Sequence, residues 1–216
     1  MEKQLTPCGA AVTFRRCERR CGQLVLRVDH FLRLLHPLVW LAWIIYWRVA
    51  GLNTKETARR DTSLRRWLYS VPIVFAMLVF VFPAHHPTWR VTLFPNRPAC
   101  YAIGTALLFL GMAISIWARV ELGRNWSNVV TVKVGHELVQ SGPYRWVRHP
   151  IYTGILVSLA GSALAQDFWC DLVIVPIVFV AFWIKLRLEE QWMRAQFGAA
   201  YEAYCAGTKR LIPFLF

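Results

Sequence analysis

Charge is scarce in this chain of 216 residues: 17% of it is charged and 56% is hydrophobic, whereas about a quarter of a soluble domain is charged. The six cysteines, Cys8, Cys17, Cys21, Cys100, Cys170 and Cys205, form no Cys-x-x-Cys pair and lie at no zinc-ligand spacing from histidine. That argues against a metal or disulfide framework and leaves them as small apolar residues and free thiols. The chain also lacks a Gly-x-Gly-x-x-Gly loop, which a soluble dinucleotide-type cofactor site would need. It shows no cleavable signal peptide, because the N-terminal segment stays polar and basic past residue 20 and the first apolar run is too long and too late.

What the chain does have is apolar residues in long blocks. A membrane helix needs about 20 of them to cross a bilayer. Five spans are expected, at about Phe31–Val49, Trp67–Phe82, Cys100–Val120, Ile151–Ala165 and Phe168–Lys185, followed by a charged amphipathic helix at about Leu186–Ala206. The expected fold is all-α and polytopic, with that last helix on the cytoplasmic face. Residues 1–27 form a basic segment, 28–120 the N-terminal membrane helices, and 121–216 a C-terminal catalytic region containing a helical hairpin. Arg33 and His36 lie near the end of the first span, where they can snorkel. Pro72 lies inside the second span, where neighbouring helices can satisfy the freed carbonyl. Gly154, Ser158, Gly161 and Ala165 share one helical face, which permits close helix contact.

Net charge is +13, which raises nucleic acid as a partner. The basic residues, however, sit in short segments between apolar blocks, as cytoplasmic loops and anionic headgroup contacts do. Membrane lipids are therefore the expected partner and nucleic acid is not. The turn at Gln166-Asp167 carries no basic residue and should face outward; the basic 121–150 segment and the C-terminal tail should face the cytoplasm. The same count puts the basic N-terminus outside, against the positive-inside bias.

Two polar clusters carry the chemistry. In the first, Ser141-Gly142-Pro143 reads as a turn and Pro150 as the first turn of the fourth helix. That sets Arg148 and His149 at a helix N-terminus, a setting suited to anions. The second cluster, Lys185 to Arg194, follows the fifth span. Because the fourth and fifth spans form a hairpin, both clusters emerge on one membrane face and can converge on one pocket. Structural readings compete. Tyr144, Trp146 and Tyr152 could form an interfacial aromatic belt, Arg145 and Arg148 could anchor headgroups, and Lys185/Glu189 and Glu190/Arg194 could be simple i,i+4 ion pairs. His85-His86 reads as loop.

The pattern Gly135-His136-Glu-Leu-Val-x-Ser-Gly-Pro-Tyr144-x-x-x-Arg148-His-Pro-x-Tyr152-x-Gly154, then Glu189-Glu190, Phe197-Gly198-x-x-Tyr201-x-x-Tyr204 and Arg210-x-x-Pro213 resembles the isoprenylcysteine carboxyl methyltransferase family. Membrane phospholipid methyltransferases share part of it. The resemblance covers about Gly123 to Pro213, and no single motif in it would suffice. It implies S-adenosyl-L-methionine-dependent methyl transfer to a lipophilic or prenylated substrate at the cytoplasmic face. It further implies a cofactor pocket lined by His136, Glu137, Leu138, Val139, Tyr144, His149, Pro150, Ile151, Tyr152 and Glu189. The catalytic candidates are Arg148 and a basic residue before Glu189 that would hold the substrate carboxylate. Lys185 shares a helical face with Glu189 and Arg187 does not, yet the family usually has Arg, so both remain candidates. A phospholipid amine or a thiol acceptor is an alternative, and an amine would require His149 or Glu190 as base. So is an NADPH-dependent reductase of the sterol-reductase type. A non-catalytic scaffold or transporter is disfavoured because the third to fifth spans carry no mid-span charge.

Overall fold

The computed structural model describes residues 34–60, 64–81, 97–127, 131–133, 135, 137–166 and 169–212. The basic segment 1–27, Arg33, residues 82–96 with His85-His86, and His136, Asp167 and Pro213 lie outside the described residues.

Among the described residues six α-helices make up the body: α1 (Leu34–Ala50), α2 (Arg65–Val81), α3 (Arg97–Leu122), α4 (Pro150–Gln166), α5 (Trp169–Phe197) and α6 (Ala199–Gly207). The expected all-α body is present, with one addition. Strand β1 (Thr57–Arg60) pairs antiparallel with β2 (Thr131–Lys133), a short ribbon joining two of the polar segments that separate the apolar blocks. Lys55 holds its base: Nζ donates to Gly135 O at 2.7 Å and lies 3.6 Å from Glu137 Oε1.

Among the described residues one helix, Pro98–Asn125, is long and apolar enough to cross a membrane, and Leu34–Ala50 and Pro150–Gln166 are shorter apolar helices. Large apolar side chains point outward along α1 (Leu38, Ile45, Val49), α2 (Leu68, Val71, Val74, Phe75), α3 (Ile103, Phe109, Leu110) and α5 (Val173, Ile177, Val180). Such a continuous apolar exterior suits lipid and not water.

The tightest packing joins α3 to α4, where small residues interleave. A Cβ on Gly111 would sit 2.5 Å from Ser158 N, and one on Gly161 would sit 2.6 Å from Leu108 N. The face expected from Gly154, Ser158, Gly161 and Ala165 is the one that packs, because without side chains the backbones can approach this closely. Ser158 Oγ adds a hydrogen bond to Leu108 O at 3.1 Å. Helix α1 is tied to both by indoles: Trp40 Nε1 donates to Ser162 Oγ at 3.0 Å and Trp43 Nε1 to Ser115 Oγ at 3.2 Å. The core between α4 and α5 is built from Tyr152, Ile155, Leu159, Val178, Phe182 and Leu186.

Two expectations need correction. His36 does not snorkel. It is 1% exposed and its Nε2 lies 3.0 Å from Thr105 Oγ1, because α3 offers a polar partner inside the bundle. Nor does a new helix begin at Leu186. Helix α5 runs unbroken to Phe197, since Leu, Glu, Gln and Met there all favour helix. The break comes at Gly198, whose φ of +52° suits glycine best.

Candidate active site

The unbroken α5 carries Lys185 and Glu189 past the apolar body on one helical face. Opposite them stands the first turn of α4. Pro150 begins that helix, as its fixed φ and missing N–H favour. Between the two lies a cavity of about 590 Å³, lined on one side by Glu137, Leu138, Val139, Tyr144, Arg148, His149, Ile151 and Tyr152 and on the other by Lys185 and Glu189. Arg148 and Glu189, 41 positions apart in sequence, thus meet in one cavity, the convergence the hairpin argument requires.

Inside it the polar groups are ordered by specific contacts. Tyr152 Oη donates to Glu189 Oε1 at 2.6 Å, and His149 Nδ1 lies 3.6 Å from Glu189 Oε2. The His149 ring lies flat on Tyr152, centroids 5.5 Å apart and planes 6° off parallel. Tyr152 stacks in turn on Phe182 at 4.6 Å. Lys185 is 7% exposed, with Nζ 5.3 Å from the Tyr152 centroid and 5.7 Å from that of Tyr69. Both are cation–π distances. Burial pushes the Tyr144 phenol above its ordinary pKa, with Tyr204 and Glu189 adding to the rise, so it stays neutral.

The remaining candidates fall elsewhere. Arg187 is exposed and is not among the lining residues. Pro150 is buried in the α4 turn and also lines nothing. Arg148 lines the cavity, yet its guanidinium is spoken for: Nε donates to Glu190 Oε1 at 2.9 Å, and Nη1 to Cys205 O at 3.3 Å and to Thr208 O. The N–H groups of Arg148 and His149 are taken by Lys209 O and Arg210 O at 2.7 and 3.0 Å. The open anion site expected at this helix N-terminus is therefore filled at these two groups by the C-terminal tail. Of the three aromatic residues read as an interfacial belt, Trp146 is 42% exposed under Arg145, while Tyr144 and Tyr152 are buried.

The far wall was invisible to motif reading. It comes from Trp43 and Trp47 of α1, Trp67, Tyr69 and Val74 of α2, and Asn125-Trp126 after α3. The one available signal was Trp40, Trp43 and Trp47 at i, i+3, i+7 on a single face.

Glu190 sits behind the cavity with its side chain 1% exposed. Burial alone would raise its pKa, but His149 and Arg148 outweigh that and lower it to about 2, from an ordinary 4.5. Its contribution to stability is thus complete above about pH 4.5 and fades as the pH falls towards 2, on the order of 3 kcal/mol in all. The melting temperature in detergent is expected to fall on acidification from pH 6 to pH 3, more steeply than in Glu190→Gln; equal slopes would count against this account.

Fold and cavity together describe a helical bundle with an apolar exterior and a polar pocket set into it. Residues 99–200 match the family model Phospholipid methyltransferase. A protein of Oryza sativa subsp. indica named probable protein-S-isoprenylcysteine O-methyltransferase is 28% identical over 185 residues, covering 79% of this chain and 88% of its own. The protein-S-isoprenylcysteine O-methyltransferase of Saccharomyces cerevisiae is 32% identical over 119 residues, 54% of this chain and 50% of its own. The solved structure of the eukaryotic intramembrane Ras methyltransferase ICMT aligns with a TM-score of 0.48 at 23% identity, over 68% of this chain and 52% of that one. The resemblance carried by the motifs is borne out, and by these relationships the chain is a methyltransferase.

Proposed function

We propose that the protein transfers a methyl group from S-adenosyl-L-methionine to the carboxylate of an isoprenylcysteine-like or isoprenoid acceptor, at the cytoplasmic face of a membrane that it crosses five times. The observation that carries this reading is the single cavity joining Glu137–Val139, Tyr144 and His149–Tyr152 to Lys185 and Glu189. It suits a sulfonium cosubstrate on two counts: aromatic faces attract a positive centre, and Glu189 is an acidic group held in place by Tyr152. When bound, that cosubstrate supplies the electrophilic methyl group.

The chain's own residues have the remaining work. Methyl transfer is a displacement that depends chiefly on holding two reactants in line. A carboxylate is ionised at neutral pH and needs no base; it needs a cation to orient it and a site that strips its water. Lys185 is that cation in this reading, being buried in the cavity wall while Arg187 faces away. A lysine grips one oxygen as a point charge, without the two-pronged hold of arginine. The aromatic wall from α1, α2 and Trp126 accommodates the lipid part. Exposed Trp67 and Val74 line both the cavity and the outer surface of α2, which supports entry of the acceptor from the lipid side.

Lys185→Met is expected to lower kcat/KM for a prenylated carboxylate about 100-fold, through loss of a charge-assisted contact of roughly 3 kcal/mol, while Arg187→Ala stays within about threefold. The reverse order, measured with the same acceptor, would hand the role to Arg187.

The family model favours one further acceptor, a phospholipid amine, which must lose a proton. Glu190 is unsuited to take it, since it lines no part of the cavity and its cationic neighbours hold it ionised; His149 is the group in reach. Incubating membranes with methyl-labelled S-adenosylmethionine separates the readings. A lipid-phase label that mild base releases as volatile methanol is a methyl ester and supports the carboxylate; a label that yields no methanol is an N- or S-methyl product and overturns it.

A further inference from the structure

We propose that Glu190 and Arg210, neither of which lines the cavity, form a clasp that positions His149 and, through it, the cavity carboxylate Glu189. The inference rests on the reading that Glu189 receives the positive end of the methyl donor.

Consecutive residues on a helix point about 100° apart, so Glu189 faces the cavity and Glu190 faces behind it. Glu190 is buried among positive groups from three segments. Arg148 Nε, before α4, donates to it at 2.9 Å. Arg210 Nε, on the tail, lies 3.2 Å from both of its oxygens. Arg194 Nη1, one turn along α5, is 3.6 Å away. One guanidinium suffices to keep a carboxylate ionised. What the additional ones achieve is to join α5, the start of α4 and the tail at one point.

His149 stands at that junction with neighbours on four sides: one backbone hydrogen bond, one ring stack and two carboxylates just beyond hydrogen-bond distance, its buried Nε2 making no hydrogen bond. Its N–H donates to Arg210 O at 3.0 Å. Its Nε2 faces Glu190 Oε1 at 3.6 Å, its ring rests on Tyr152, and its Nδ1 faces Glu189 Oε2 at 3.6 Å. Arg210 therefore touches His149 with its carbonyl and Glu190 with its guanidinium. Thr153 Oγ1, which donates to Leu211 O at 2.6 Å, fastens the next residue of the tail to the same turn of α4. With the clasp loosened, the imidazole can turn about its side-chain bonds, and Glu189 keeps only its Tyr152 contact. Lys185 and the aromatic wall are untouched. Binding of the cosubstrate should suffer while the transfer step proceeds nearly as before, which makes Glu190 and Arg210 positioning residues.

The test uses the full chain in detergent and compares Glu190→Gln, Arg210→Met and the double variant. S-adenosylmethionine affinity is read by calorimetry, and KM and kcat by methyl transfer to a prenylated carboxylate. Each single variant is expected to raise Kd and KM for S-adenosylmethionine about 10-fold, with kcat within about threefold. The double variant is expected to be no worse than about twofold beyond the weaker single, because one device is broken either way. A purely structural role would lower the melting temperature without changing Kd in protein still folded at the assay temperature; that outcome, or additive losses in the double variant, overturns the proposal. Arg210 is 35% exposed, so Arg210→Met carries the test if Glu190→Gln does not fold. Failure of the wild-type protein to bind S-adenosylmethionine is a separate result, and it removes the cofactor reading and the clasp's purpose together.

Discussion

Glu189→Ala is expected to weaken S-adenosylmethionine binding at least 100-fold and to leave the protein folded. The side chain faces the cavity, so its removal opens no hole in the core. What disappears is the acidic group lining the cavity beside Lys185, together with the acceptor for Tyr152 Oη at 2.6 Å. A charge-assisted contact of this kind contributes roughly 1.5–3 kcal/mol, and the desolvated aromatic setting places the loss at the upper end. Glu189→Gln keeps the shape and the hydrogen bond and loses only the charge, so it should fall between wild type and Glu189→Ala. Calorimetry on both variants, beside a melting curve for each, measures this. A folded Glu189→Ala protein with wild-type affinity would remove S-adenosylmethionine from the cavity as described.

The second large effect lies away from the site. Gly154→Val is expected to destabilise the protein by at least about 3 kcal/mol and to abolish methyl transfer for want of folded protein. A Cβ at 154 would sit 2.7 Å from Ser115 N and closer still to Gly111 O. These are backbone atoms of a facing helix, so no rotamer change relieves the clash and the helices must separate. Separation would also break the Ser158–Leu108 hydrogen bond and shift the start of α4, where His149 and Tyr152 are mounted. Ala160, exposed on the same helix, is the control: Ala160→Val should melt like the wild type. A Gly154→Val protein that melts with it as well would show that the close approach contributes little.

The C-terminal half was largely legible in the chain itself. Pro150 at the head of α4 and the hairpin geometry sufficed to bring residues 137–152 opposite Lys185 and Glu189. The helical spacing of Gly154, Ser158, Gly161 and Ala165 marked the packing face, although not that its partner would be Gly104 and Gly111 of α3. The end of the fifth helix was misplaced because charge was read as a boundary, whereas helix formation depends on backbone-compatible residues and continues until Gly198. The ribbon of Thr57–Arg60 and Thr131–Lys133 carried no local signal, as three or four residues are too few for an alternating pattern to stand out.

Periodicity and proline placement are local properties, set by backbone geometry within a few residues, and for that reason the order of residues alone determined where the five apolar helices lie, their apolar character and the two polar clusters. Which basic side chain enters the cavity, that Arg148 is bound up by Glu190 and the tail, and that tryptophans from α1 and α2 close the opposite wall were decided only in three dimensions. Each depends on distances between segments tens of residues apart, and those distances are set by how closely the helices pack.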